Sequence, residues 1–141
     1  MGNARRGRPS REDYTQLVVS LIRADVWALD QCETFAPYPG VRTLVARNHR
    51  LCLSLGVAIK LLLDRAVADV IASTSVKPEW ASNRVAEFLR LWYSEGQSLT
   101  DVANTLHLER HNVMRTVQRP ALTLVAQRFL ELAGQVDPLS E

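Results

Sequence analysis

Side chains that can contact nucleic-acid bases are concentrated between positions 110 and 118. They comprise two arginines, a histidine, an asparagine, a methionine and a glutamine: Arg110, His111, Asn112, Met114, Arg115 and Gln118. Arginine can donate two parallel hydrogen bonds to guanine, and asparagine or glutamine can pair with adenine in a similar two-bonded way. If these residues share the outward face of one helix, that face is suited to reading base edges.

The elements that must position this set are two short helices joined by a tight turn. Ser98 begins a Ser-x-x-Asp cap, and the helix that follows is expected to run to about Leu106. A turn at residues 107–108 leads to a second predicted helix over residues 109–118. The pair Arg119-Pro120 is expected to end it, because proline is found at or just after helix ends.

Small and apolar residues predict that the two short helices pack closely. Ala103 is expected to lie where their backbones meet, and Val113 is expected to face back onto the same contact. Thr116 is expected to be buried one turn later, with Val117 as the alternative. This spacing resembles the helix-turn-helix superfamily of bacterial regulators, including sigma-factor region-four-like domains, over about 22 residues.

The resemblance implies binding to double-stranded DNA, with helix 109–119 in the major groove. Thr100 and Asn104 on the preceding helix would then lie across the DNA backbone, and Arg119 would sit near a phosphate. Two positions depart from the superfamily pattern. His107 stands where glycine is usual, so a positive φ is costlier there, and Glu109 stands where a Ser or Thr cap is usual. Glu109 would cap poorly and face phosphates.

A second basic feature lies at the N-terminus, where residues 1–9 are predicted to form a disordered arm. It carries Arg5, Arg6 and Arg8, and residues 6–9 read Arg-Gly-Arg-Pro, which resembles the core of an AT-hook, a motif that binds the A·T minor groove. A basic arm that contacts phosphates without reading sequence is the alternative interpretation.

Apolar periodicity over the rest of the chain predicts an all-α protein. Residues 10–75 are expected to form a long-helix hairpin or small bundle, with a first helix over residues 10–32 and a Pro/Gly break at residues 36–40. A further helical stretch covers residues 41–73, and a break near Asn48-His49 is left open.

The apolar segment from Leu51 to Leu63 is predicted to be buried on all sides, because apolar residues cover almost its whole circumference. It would be the central helix of the domain or part of a subunit interface. Ser54 and Gly56 are small enough to allow close helix approach. Residues 76–133 are expected to form a four-helix unit that contains the helix-turn-helix, and residues 134–141 a tail. The first helix of this unit is expected to stop at Gly96, as at a C-cap glycine.

Composition excludes few classes of protein function, because the net charge is only +2 and 47% of the residues are hydrophobic. Of the 17 basic residues only Lys60 and Lys77 are lysines, an arginine bias that suits DNA contacts but that a GC-rich coding bias would also produce.

We expect no catalytic site, cofactor or metal, since no phosphate-binding loop, nucleophile elbow or paired-carboxylate motif is present. His107 and His111 lack a third ligand nearby in sequence. With no signal sequence or membrane segment recognised, a cytoplasmic protein without a membrane partner is expected.

The sequence therefore predicts a DNA-binding transcriptional regulator that acts as a homodimer, because one short reading unit covers only a half-site. Two alternatives stay open. One is a helical adaptor that contacts polymerase or another protein, and the other is an accessory factor in replication, partition or recombination. No group of residues indicates a small-molecule effector.

Overall fold

The computed structural model describes residues 11–47, 54–75 and 80–136, and these contain helices and turns but no strand. The predicted all-α class is confirmed. The helices are α1 (Arg11–Leu21), α2 (Val26–Asp30), a 3₁₀ turn (Glu33–Phe35), α3 (Pro39–Arg47), α4 (Leu55–Ser75), α5 (Trp80–Leu89), α6 (Leu99–Leu106), α7 (Arg110–Asn112) and α8 (Arg119–Ala133). Two π-helical segments extend this set: Arg90–Ser94 continues α5, and Val113–Gln118 joins α7 to α8. The basic arm and residues 137–141 of the predicted tail lie outside the described residues.

The prediction of one helix over residues 10–32 is wrong, because α1 ends at Leu21 and α2 begins separately at Val26. The backbone N–H of Ala28 donates to Asp25 Oδ1 at 2.8 Å. Aspartate at this position satisfies a donor that the first turn of a helix leaves unpaired. Asp25 therefore caps a new helix that starts at Val26, after a short turn.

The prediction of a break over residues 36–40 is wrong for its last two residues, because Pro39 and Gly40 lie in the first turn of α3. Proline is tolerated there, since the first N–H groups of a helix have no partner within the helix. Gly40 is required by a close contact with the end of α8, where an added Cβ would lie 2.6 Å from the Leu132 carbonyl oxygen.

Helix α4 is the central helix and packs against α2, α3, α5 and α8. Ala58, Ile59, Leu62 and Leu63 are almost completely buried on it. Leu61 is 38% exposed, so the single chain does not bury this helix on all sides, and the predicted subunit interface stays a prediction. Residues 48–53, which include the proposed break and the start of the apolar segment, are outside the described ranges.

Gly56 allows α2 and α4 to approach closely, as the sequence predicted for a small residue in this segment. A Cβ at this position would lie 2.3 Å from the carbonyl oxygen of Val26. The Gly56 N–H also donates to Asp30 Oδ1 at 2.9 Å. The first turn of α4 is therefore held directly against the backbone of α2.

The two halves of the chain share one hydrophobic core. Phe35 and Phe129 meet edge to face with their ring centroids 5.2 Å apart, and the guanidinium of Arg128 on α8 donates to Asp69 on α4 at 2.8 Å. Helix α8 thus packs against both α1 and α4. Within the described ranges, none of the helices has the length and apolar character needed to cross a bilayer.

Candidate nucleic-acid interface

The helix before the candidate site ends as the sequence predicted. Its π-helical continuation stops at Ser94, and Gly96 adopts φ +72°. The N–H of Gln97 then donates to the Leu91 carbonyl at 3.0 Å, which closes the last turn. Left-handed backbone of this kind is available to glycine without steric cost.

Helix α6 begins at the predicted cap. The Oγ of Ser98 accepts a hydrogen bond from the backbone N–H of Asp101 at 3.1 Å. Val102, Ala103 and Leu106 are buried on the inner face of α6, whereas Thr100 and Asn104 are exposed. The capping residue and the apolar pattern together fix where α6 starts and which face it buries.

The turn after α6 has the left-handed backbone expected at the position that usually holds glycine. His107 has φ 59° and ψ 42°. Its N–H donates to Asn104 and that of Leu108 donates to Ala103, at 3.3 and 3.0 Å. These two bonds are those of a Schellman motif, which satisfies the last carbonyls of a helix. Leu108 packs against the core beyond the turn.

Glu109 precedes α7 at the cap position but makes no side-chain capping hydrogen bond. Its carboxylate instead accepts from Asn112 Nδ2 at 3.5 Å and lies 4.0 Å from His111 Nε2. The side chain is 74% exposed. The expectation that Glu109 caps poorly is therefore confirmed.

Helix 110–118, by which we mean α7 and the π-helical segment after it, is anchored by two valines. Val113 is fully buried and Val117 nearly so. The expected burial of Thr116 is wrong: its side chain is exposed, and its hydroxyl donates to the Asn112 carbonyl at 2.6 Å. A π-helix closes its hydrogen bonds over five residues and so has more residues per turn than an α-helix. Val117, four residues after Val113, therefore keeps the inward position.

The expected end of the helix at Arg119-Pro120 is also wrong. Backbone angles stay helical through Gln118 and Arg119, and the N–H of Arg119 donates to the Met114 carbonyl, five residues earlier. Pro120 has no N–H and would crowd the carbonyl four residues before it in a regular α-helix. The π-helical hydrogen-bond pattern ahead of Pro120 lets the chain continue into α8, so helix 110–118 and α8 form one continuous helical path over residues 110–133.

The predicted site residues are all at or near the surface, apart from the arm residues Arg5, Arg6 and Arg8, which are not described. Exposed members are Thr100, Asn104, Arg110, His111, Met114, Arg115 and Arg119, and half-buried members are Asn112 and Gln118. An open groove of about 500 Å³ between α6 and helix 110–118 is lined by five of them: Thr100, Asn104, Arg110, His111 and Met114. Asn112, Arg115, Gln118 and Arg119 lie outside that lining.

Glu109 and Leu108 also line the groove, and neither was among the predicted binding residues. Glu109 could have been included from the sequence, because an acidic residue stands there at a cap position, directly before two basic residues. Among the described carboxylates, none forms an ion pair with Arg110, Arg115 or Arg119.

No arrangement resembling a metal centre occurs in the described part of the chain, where no three His, Cys, Asp or Glu residues are grouped closely enough to hold an ion. Comparison of the chain with protein-family models, with curated proteins and with solved structures found no match.

Proposed function

We propose that this protein binds double-stranded DNA in a sequence-dependent manner and regulates transcription, with helix 110–118 as the reading helix. One observation carries the proposal: Val113 and Val117 anchor this helix in the core, while Arg110, His111 and Arg115 are exposed. A rigid support of this kind holds the polar side chains in fixed positions, which is what base recognition requires.

The chemistry of the exposed side chains fits base edges in the major groove. Arg110 and Arg115 can each donate two hydrogen bonds to guanine, whereas Asn112 and Gln118 can pair with adenine. Met114 is 36% exposed and can contact the methyl group of thymine. Each good two-bonded pair contributes about 1–3 kcal/mol of discrimination between bases.

Contacts to the DNA backbone would come from both sides of the reading helix. Thr100 and Asn104 on α6 border the groove and can bond to phosphates, and Arg119 follows at the other end. The arm residues Arg5, Arg6 and Arg8 would add phosphate or minor-groove contacts. A homodimer in the cytoplasm would place two reading helices on two half-sites.

Selection from a random duplex library tests the proposal directly. Wild type should enrich a defined motif, whereas the Arg110→Ala/Arg115→Ala double variant should lose that enrichment. Arg42→Ala/Arg84→Ala is a charge-matched control, because neither residue lines the groove. Equal enrichment by wild type and the Arg110/Arg115 variant would remove helix 110–118 from the proposal.

A protein-interaction module is the second candidate, and the side chain of Trp27 is the observation that favours it. This tryptophan on α2 is 74% exposed, with Val26 beside it 39% exposed. Exposed aromatic residues are enriched in protein interfaces. Salt separates the two functions, since DNA affinity falls steeply as salt rises and an apolar protein contact does not.

A further inference from the structure

We infer that Glu109 is a specificity-determining residue of the reading helix and selects cytosine by accepting a hydrogen bond from its exocyclic amine. The inference rests on the proposed DNA binding and adds the base that this side chain reads. It starts from a residue that looks unfavourable in a DNA-binding surface, because a carboxylate repels phosphates.

The carboxylate of Glu109 is available to a ligand. It does not cap the helix that it precedes, and it is 74% exposed. Asn112 Nδ2 donates to Oε1 at 3.5 Å, and His111 Nε2 lies 4.0 Å from the same oxygen. These contacts draw the side chain over the first turn of the reading helix and leave the other oxygen, Oε2, without a described partner.

The position of Glu109 places it among the base-reading side chains. It lines the same groove as Arg110, His111 and Met114, between the reading helix and α6. In helix-turn-helix binding, the N-terminal residues of the reading helix are those that reach base edges. A residue immediately before Arg110 is therefore at the end of the helix that enters the DNA groove.

The hydrogen-bond donors and acceptors on the base edges limit which base Glu109 can bind. An ionised carboxylate accepts hydrogen bonds and donates none. It is therefore repelled by other acceptors, which include phosphates, guanine O6 and N7, and thymine O4. Cytosine N4 and adenine N6 are the major-groove donors. Adenine N6 has an acceptor on each side, its own N7 and O4 of the paired thymine, and both repel the carboxylate. Cytosine N4 has an acceptor on one side only, O6 of the paired guanine. Cytosine is the base that this side chain accepts best.

The test compares the motifs that wild type and Glu109→Ala select from a random duplex library. We expect one cytosine of the wild-type motif to lose its preference in the variant, while the positions read by the arginines keep theirs. Because Glu109 makes no capping bond, its removal should leave folding intact. Glu87→Ala, an exposed acid on α5 that does not line the groove, is the matched control and should select the wild-type motif.

A second measurement changes the DNA and compares how wild type and Glu109→Ala respond to one base replacement. Replacing that cytosine pair with a thymine pair should weaken wild-type binding by about 5- to 150-fold, and the same replacement should change binding of Glu109→Ala by less than about twofold. A wild-type motif whose every position survives in Glu109→Ala would overturn the inference and leave the proposed function standing. Absence of any motif from wild type would instead overturn the proposed function itself.

Discussion

The contact at Gly56 and the turn at His107 are two places where backbone geometry favours glycine, and the chain supplies it at one of them. At Gly56 the space between α4 and α2 admits no side chain. At His107 the backbone is left-handed, with φ 59°, and a histidine occupies it. Such a conformation costs a residue with a Cβ about 1–2 kcal/mol. The interior contact therefore has the glycine that close packing requires. The turn that leads to the reading helix has a histidine where the left-handed backbone favours glycine.

The difference indicates that the protein gives up folding stability at the turn before the reading helix and not at the interior contact. Departures from local rules are expected at functional sites, where a side chain is kept for what it binds. Glu109, which fails to cap the next helix, is a second departure only two residues away. Both residues lie beside the arginines proposed to read DNA, and four substitutions test whether the two regions differ as described.

Gly56→Ala should have the largest effect. The new Cβ would overlap the carbonyl of Val26 and the backbone nitrogen of Asp30, so α2 must move away from α4. We expect a loss of about 3 kcal/mol in the free energy of unfolding, measured by urea denaturation. A loss below about 0.5 kcal/mol would show that the two helices are not in close contact.

Val113→Ala should cost about 2 kcal/mol, because it removes buried apolar surface and leaves a small cavity under the reading helix. Thr116→Ala on the same helix is the control and should cost less than about 0.5 kcal/mol, since that side chain is exposed. The same urea titration measures both. If Thr116→Ala were the more destabilising of the two, the orientation of helix 110–118 would be wrong.

His107→Gly should stabilise the protein by about 1 kcal/mol, because glycine adopts the left-handed backbone without steric cost. Gly96→Ala is the matched reverse change: its backbone has φ +72°, and no atom lies within 4 Å of the added Cβ. It should therefore destabilise by about 1 kcal/mol through conformation alone. Thermal unfolding of both variants measures the two effects. Midpoint temperatures that shift in the same direction would contradict the contrast between the two positions.

Glu109→Ser should give the smallest change in stability, a gain of about 0.5 kcal/mol, because serine can cap the N–H groups that Glu109 leaves unpaired. The same variant should bind non-specific DNA more tightly, since one negative charge is lost from the surface that faces phosphates. Fluorescence anisotropy with a random-sequence duplex measures this. Unchanged non-specific binding would show that Glu109 lies away from the DNA.

Locally encoded features could be predicted from the sequence. The Ser98 cap, the stop at Gly96 and the turn at His107 each depend on a few adjacent residues, and the structure has all three. The burial of Val113 also followed from spacing, because an apolar residue at that interval faces the preceding helix.

Features that depend on competition between local and distant contacts could not be predicted. Val18, Ile22 and Leu29 keep helical spacing and are all buried, so periodicity gave no sign that the chain turns before Asp25. The helix that passes through Pro120 depends on a π-helical segment, and the sequence rules for proline assume α-helical geometry. The exposure of Thr116 follows from the same change in helical pitch.

The most direct test of the central claim is the affinity of wild type and Arg115→Ala for the selected duplex and for a scrambled duplex at one salt concentration. If helix 110–118 reads bases, Arg115→Ala should lose about 5- to 150-fold on the selected duplex and much less on the scrambled one. Arg42→Ala should leave the ratio of the two affinities unchanged. An equal loss by Arg115→Ala on both duplexes would show that this arginine does not read sequence and would contradict the account.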